Sequence, residues 1–218
     1  MSFNLNLLAF FLLTAIAPLA GQTSKNNPEL GYYIEVGGGI SYYLGIHKNA
    51  KVMPGTSFSM AGGIFYPLSA KSIVGLSIGF VQDIQHISST SLLGSVSYNR
   101  RLRFFDFSLG YERTISKNKE WSIRVAPRLR ILTDGQLIRS DYHQRGANLE
   151  KEELNLEYFR TFSPGLELSP WFRLLDKPEY KFDLGLKLNF SFASTDYSAQ
   201  PGTLNTIQLS LRFRLCRT

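Results

Sequence analysis

The sequence predicts an all-β fold, an eight-stranded antiparallel up-and-down transmembrane β-barrel, from three observations. Apolar and polar residues alternate with period two in eight segments separated by turn-rich stretches. Aromatic residues gather near both ends of those segments, as two girdles do where a barrel wall crosses the lipid interfaces. The connections alternate between short and long, the pattern of a barrel with tight turns on one side of a membrane and loops on the other.

The N-terminus supplies the compartment. Residues 1–21 read as a signal peptide: Leu7–Leu19 (LLAFFLLTAIAPL) is an apolar core too short to span a bilayer, and small residues Ala20 and Gly21 precede a polar run. Met1–Asn6 holds no Lys or Arg, so only the terminal amine supplies positive charge there. Position 22 is Gln and not Cys, so no lipid anchor is indicated. Residues 22–31 form a polar leader and 32–218 the barrel. Hydrophobic residues make up 44% of the 218, yet nothing after the first twenty is continuously apolar, which argues against spanning helices. The length suits one domain. The net charge of +7 favours anionic surfaces. Without a contiguous basic run or a nucleic-acid motif, the expected surface is lipid headgroups and not nucleic acid. The single cysteine, Cys216, cannot close an internal disulfide.

The strands follow in order. The first, 32–43, runs between Tyr32 and Tyr42 and turns Glu35 to the other face. The second, 55–66, lies between Phe58 and Tyr66. The turn 67–71 (PLSAK) leads to the third, 72–84, which carries Phe80 and Asp83. The fourth, 104–115, sets Phe105 and Tyr111 against Asp106 and Glu112. After the turn 116–119 (SKNK), the fifth, 120–133, sets Trp121, Ile123, Val125, Leu129 and Ile131 against Ser122, Arg124, Ala126, Arg128 and Arg130. The sixth, 154–172, has Tyr158 and Phe172 near its ends and carries Glu157 and Glu167. The turn 173–178 precedes the seventh, 179–193, where Phe182, Leu184, Leu186, Leu188, Phe190 and Phe192 oppose Lys181, Asp183, Gly185, Lys187, Asn189 and Ser191. The eighth, 204–215, sets Ile207, Leu209, Leu211, Phe213 and Leu215 against Gln208, Ser210, Arg212 and Arg214.

The long connections are 44–54, 85–103, 134–153 and 194–203, and an even strand count leaves both termini on the periplasmic side. Within 85–103, Ser91–Tyr98 suits either a further strand or a hairpin standing above the membrane. A strand hidden in 134–153 would make the barrel ten-stranded. Pro127 and Pro164 fall inside strands, where each removes a ladder donor, so a bulge or a rim position is expected. Gly37–Gly39 and Gly62–Gly63 precede no helix and so are not phosphate loops. They are expected to let an inward bulky side chain, such as an arginine, approach the wall.

Three segments carry a resemblance to the PorT-like outer-membrane β-barrel family of Bacteroidota. Trp121–Gly135 (WSIRVAPRLRILTDG) resembles the family's central strand, Tyr66–Ser72 (YPLSAKS) its first periplasmic turn, and Leu204–Leu215 (LNTIQLSLRFRL) its closing strand. The chain departs from the family at its tail, where Leu215–Thr218 (LCRT) follows the point at which such chains often stop on an aromatic. The resemblance implies an eight-stranded barrel in the outer membrane of a Gram-negative cell and no enzymatic site.

With the apolar face toward lipid, the charged face is enclosed. Its acids are Glu35, Asp83, Asp106, Glu112, Glu157, Glu167 and Asp183, and its bases Arg124, Arg128, Arg130, Lys187, Arg212 and Arg214, which nearly cancel. Asp106 and Glu112 are expected beside the arginines of the fifth strand, with Glu157 and Glu167 on its other side. The interior of an eight-stranded barrel is just wide enough for side chains to fill, so these groups are expected to pair as a network or, alternatively, to line a narrow channel. A lipid-modifying hydrolase is the enzymatic alternative, since His86–Ile87–Ser88 has a His-x-Ser spacing with Asp83 nearby. The other histidines, His47 and His143, lie in expected loops. Neither a cofactor nor a metal is expected: no His/Cys cluster occurs, and Glu150–Glu153 (EKEE) reads as a solvated charge run. The leading expectation is a non-enzymatic barrel whose external loops bind lipopolysaccharide or an envelope or secretion protein.

Overall fold

The computed structural model describes residues 30–216 apart from 45–49, 92–93, 117, 119, 142–148, 154–160 and 193–202. Residues 1–29, with the expected signal peptide and most of the leader, lie outside it. The described chain is all strand and turn: β1 Gly31–Leu44, β2 Ala50–Ser69, β3 Ser72–Ser91, β4 Gly94–Thr114, β5 Trp121–Asp141, β6 Leu149–Glu153, β7 Phe162–Asp176, β8 Tyr180–Ser191 and β9 Thr203–Leu215. No helix among the described residues is long and apolar enough to cross a membrane.

Eight of these strands form a closed ring. Neighbours run β4-β3-β2-β1-β9-β8-β7-β5, and β4 pairs with β5 to complete the circle. Every pairing is antiparallel. The first and last strands meet along Tyr32↔Leu215 to Leu44↔Thr203, so no edge is left in the wall. β6 is the ninth strand but does not enter the ring. Among the described residues it pairs with Gln136–Ser140 of β5, beyond the barrel, so a strand does lie within 134–153 without enlarging the barrel to ten.

Several strands differ in length from expectation, and β2 to β5 are longer. β3 and β4 continue through 85–103 to Ser91↔Gly94, so of the two readings of that segment the structure has the raised hairpin. β5 likewise runs on to Asp141. β7 begins at Phe162 and ends at Asp176, which shortens the turn before β8, while residues 154–160 of the expected sixth strand lie outside the described residues. Pro127 produces no bulge: the β4–β5 register is the same at Ser108↔Arg128 and Tyr111↔Val125 on either side of it. Pro164 sits near the loop end of β7, a rim position.

Side chains alternate between wall faces along the ring strands. On β9, Leu204, Thr206, Gln208, Ser210, Arg212 and Arg214 are buried, while Ile207, Leu209, Leu211, Phe213 and Leu215 are exposed. This is the reverse of a soluble protein: the largest exposed set is apolar and the largest buried set polar or charged. On β4 the outward residues between Arg113 and Arg103 are Tyr111, Leu109, Phe107 and Phe105, with no charge among them. That ten-residue rise, at about 3.4 Å per residue and a tilt of about 40°, covers roughly 26 Å, the height of the apolar band on such barrels. At the short-turn end Trp121 stacks on Phe172 with ring centres 4.9 Å apart, and Tyr180 on Phe213 at 5.9 Å, contributing to one aromatic girdle.

Candidate functional site: the barrel interior

The inward face of every ring strand ends in groups that need partners, and the narrow bore supplies them from across the lumen. Nearest the short turns, Glu112 of β4 and Asp183 of β8 gather three arginines. Arg212 lies 2.8 Å from Glu112 and 3.2 Å from Asp183. Arg214 is 2.6 Å from Asp183 and 3.0 Å from Glu112. Arg173 donates to Asp183 at 3.2 Å. Ser122 supplies a further hydrogen bond to Glu112 at 2.7 Å. The Arg212 guanidinium lies over the buried Trp171 ring at 3.9 Å, a contact that favours cation over neutral group. Gly185 faces that ring so closely that any Cβ there would overlap it.

The middle layer centres on Glu35, Glu167, Arg124 and Lys187. Lys187 donates to Glu35 at 2.5 Å and lies 3.5 Å from Glu167. Arg124 approaches Glu167 at 3.6 Å and donates to the Tyr33 hydroxyl and to Ser108 Oγ, each at 2.9 Å. Ser169 closes the shell on Glu167 at 2.6 Å. Above it, Arg128 pairs with Asp106, and Arg130 reaches Asp83 at 3.4 Å. Ser57 donates to Asp83 and accepts from Gln208 at 2.8 Å, while Asn189 donates to Thr206 at 2.9 Å. Toward the loop end the filling becomes apolar, with Val81, Leu102, Phe104 and Leu204 in one buried cluster.

Each expected site residue can now be placed. Glu35, Glu112, Arg124, Arg128, Arg130, Glu167, Asp183, Lys187, Arg212 and Arg214 are all buried inward, and the Asp106 side chain is 14% exposed. Glu157 lies outside the described residues. The pairings skip the nearest strand at several points, Lys187 of β8 with Glu35 of β1 among them. Glu112 sits opposite Arg124 in the β4–β5 ladder, yet its ion pairs go to Arg212 and Arg214 of β9. Arg130 of β5 pairs with Asp83 of β3, two strands away. A long guanidinium in a bore this narrow reaches across the lumen as readily as along the wall.

Two interior cations were hidden in expected connections. Arg173 belongs to a β7 that runs past the expected turn, and Arg100, which hydrogen-bonds Gln85, belongs to the raised hairpin. The period-two rhythm of Glu167, Ser169, Trp171 and Arg173 was the available signal for the first. Of the glycines, Gly63 acts as expected, and the bulky inward side chain that approaches it is Tyr33. A Cβ at Gly39 would meet the Ile207 carbonyl and one at Gly63 the Tyr33 ring, so main chain and tyrosine approach there. Arginines lie close over two other glycines, Arg124 at Gly110 and Arg128 at Gly165.

Other chemistry finds little support in the geometry. His86 is on the outward face, its Nδ1 2.9 Å from Asn99 Oδ1, whereas Asp83 is fully buried inside the barrel, so no His–Asp pair forms. The Ser88 side chain, like His47 and His143, lies outside the described residues. Among the described residues no group of His, Cys, Asp and Glu could hold a metal. At the short-turn mouth a cavity of about 460 Å³ is lined by Phe65, Lys71, Arg173, Lys181 and Arg214 among others.

A closed antiparallel ring of eight strands, apolar toward its surroundings and ion-paired within, defines a transmembrane β-barrel of the Gram-negative outer-membrane class. No family model and no curated protein matches the chain. Among solved structures it is similar to Ail, the attachment invasion locus protein of Yersinia pestis, determined in complex with the heparin analogue sucrose octasulfate. The identity is 13%, over 86% of this chain and 99% of that one, with a TM-score of 0.44. Neisserial surface protein A is similar at 10% identity, over 85% and 97% of the two chains, with a TM-score of 0.45. The outer-membrane protein OprG of Pseudomonas aeruginosa is similar at 8% identity, over 88% and 98%, with a TM-score of 0.40. Likeness at this level says nothing of function, and the class rests on closure and inside-out polarity.

Proposed function

We propose that the protein is a non-enzymatic outer-membrane barrel, exported by its signal peptide, that holds a raised β3–β4 hairpin and its external loops toward a cell-envelope or secretion partner. Membership of the PorT-like family is part of this proposal, on the segments 66–72, 121–135 and 204–215. The carrying observation is the interior: three tiers of cross-lumen ion pairs topped by an apolar cluster occupy the bore. A bore so filled transports nothing through its centre, which leaves the loop end for work. Retention in the wall then follows from the lipid-facing band alone.

The narrow-channel alternative makes the opposite demand, a continuous water path. Purified protein in planar bilayers is expected to give no conductance steps, since the ion pairs fix the side chains that would have to move. Reproducible steps would return the function to a selective pore. Cross-linking in native envelopes, with recovery through the loop end, would then name the partner.

A further inference from the structure

We propose that the lipid-facing surface of β3–β5 at its loop end is a binding site for a phosphate-bearing lipid of the outer leaflet, with Arg101 as its principal ligand and Arg103 beside it. The proposal rests on the membrane placement above and not on the identity of any protein partner.

The site follows from three successive outward rungs. The last rung of the apolar band on these strands is Phe80, Phe105 and Ile131, side by side in the ladder. One step up, the rung is Gln82, Arg103 and Asp134, and one step further it is Ile84, Arg101 and Gln136. Charge therefore begins where aromatics end, the level at which lipid headgroups meet a barrel wall. Arg103 is already engaged: it donates to Asp134 at 2.6 Å and to Gln82 at 3.2 Å, which fixes its guanidinium on the wall. Arg101 is not. Among the described residues it has no ion-pair partner, and its Nε is buried without a hydrogen-bond partner.

An outward arginine without an ion-pair partner, beside a second guanidinium, can offer its two terminal Nη groups as the fork that binds phosphate bidentately. The aromatic rung directly below gives an acyl-bearing ligand an advantage over a free anion. The opposite rim supplies the comparison: Arg113 is outward and exposed at the short-turn end of the same strand, level with Ser72.

The test uses the exported chain purified from outer membranes in detergent, with bound lipid counted by native mass spectrometry. Diphosphorylated lipid A is expected to bind Arg101→Gln about tenfold more weakly than wild type, as loss of one charge-assisted pair implies. Arg113→Gln should bind as wild type does. Lipid A stripped of phosphate should not distinguish wild type from Arg101→Gln. Equal binding of the diphosphorylated lipid by wild type and Arg101→Gln, with both keeping a heat-modifiable folded band on gels, overturns the site. Arg101-dependent binding of inorganic phosphate as tight as that of the lipid overturns the lipid as occupant. A chain that stays folded and monomeric without detergent instead overturns the membrane placement on which the site rests.

Discussion

Replacing Asp183 by alanine is expected to cost about 3–5 kcal/mol, enough to prevent stable assembly or to lower the urea midpoint of refolding sharply. Asp183 is 1% exposed and is the shared acceptor of Arg173, Arg212 and Arg214. Among the described residues, its loss leaves Arg212 and Arg214 with Glu112 and Arg173 with Asp176. The penalty is that of buried charge without compensation, so Asp183→Asn, which keeps shape and one acceptor oxygen, should fall between alanine and wild type. Urea titration of the folded band in detergent or vesicles checks both. An unchanged midpoint for Asp183→Ala would mean that the tier is wet and its pairing adds nothing.

Leu209→Arg makes the second large prediction, on the other face of the wall. Leu209 is 60% exposed, between Ile207 and Leu211 on the outward side of β9. In water, arginine at such a position would change stability by at most about 0.5 kcal/mol. In hydrocarbon it should cost about 2–4 kcal/mol. Gln208, the neighbour one residue away, is 1% exposed inside the barrel, so the pair of positions also tests the alternation. Vesicle refolding of Leu209→Arg should be markedly impaired, whereas Leu209→Ile, apolar and β-branched, should refold as wild type does.

How far the sequence could be read depended on what each feature leaves along the chain. Alternation is local: Arg212 and Arg214 lie on one face because they are two apart, and the neighbouring Phe213 faces the other way. Strand existence and facing were therefore legible. Strand length was not, where both faces of a strand are polar. Above the apolar band the outward residues His86, Asn99 and Arg101 no longer contrast with the inward Gln85 and Arg100, so the ladder continues without a period to announce it. On β5 the rhythm is broken at Thr133, the extra residue of the bulge opposite Arg103 and Phe104, and the strand's extension to Asp141 was masked in the same way.

The site shows the same division. Which groups carry charge on the inward face followed from parity, but who pairs with whom depends on bore width and stagger. Glu112 passes over its ladder neighbour Arg124 for Arg212 and Arg214, while Arg124 turns to Tyr33, Ser108 and Glu167. Tyr33 and Trp171 were legible as inward by parity with Glu35 and Glu167, yet aromatics on the polar face run against the simple rule. Their reason is cationic: each lies under an arginine, with Arg124 5.6 Å from the Tyr33 ring centre and Arg212 3.9 Å from that of Trp171.

The chain holds two tryptophans, one on each face of the wall: Trp121 is 45% exposed and Trp171 1%. Their fluorescence in vesicles of lipid brominated near the headgroup end of the acyl chain tests the inside-out assignment most directly. Trp121, isolated in a Trp171→Phe variant, should be strongly quenched, and Trp171, isolated in Trp121→Phe, should be nearly unaffected. Quenching of Trp171 with protection of Trp121 would place the ion-paired face against hydrocarbon and contradict the account.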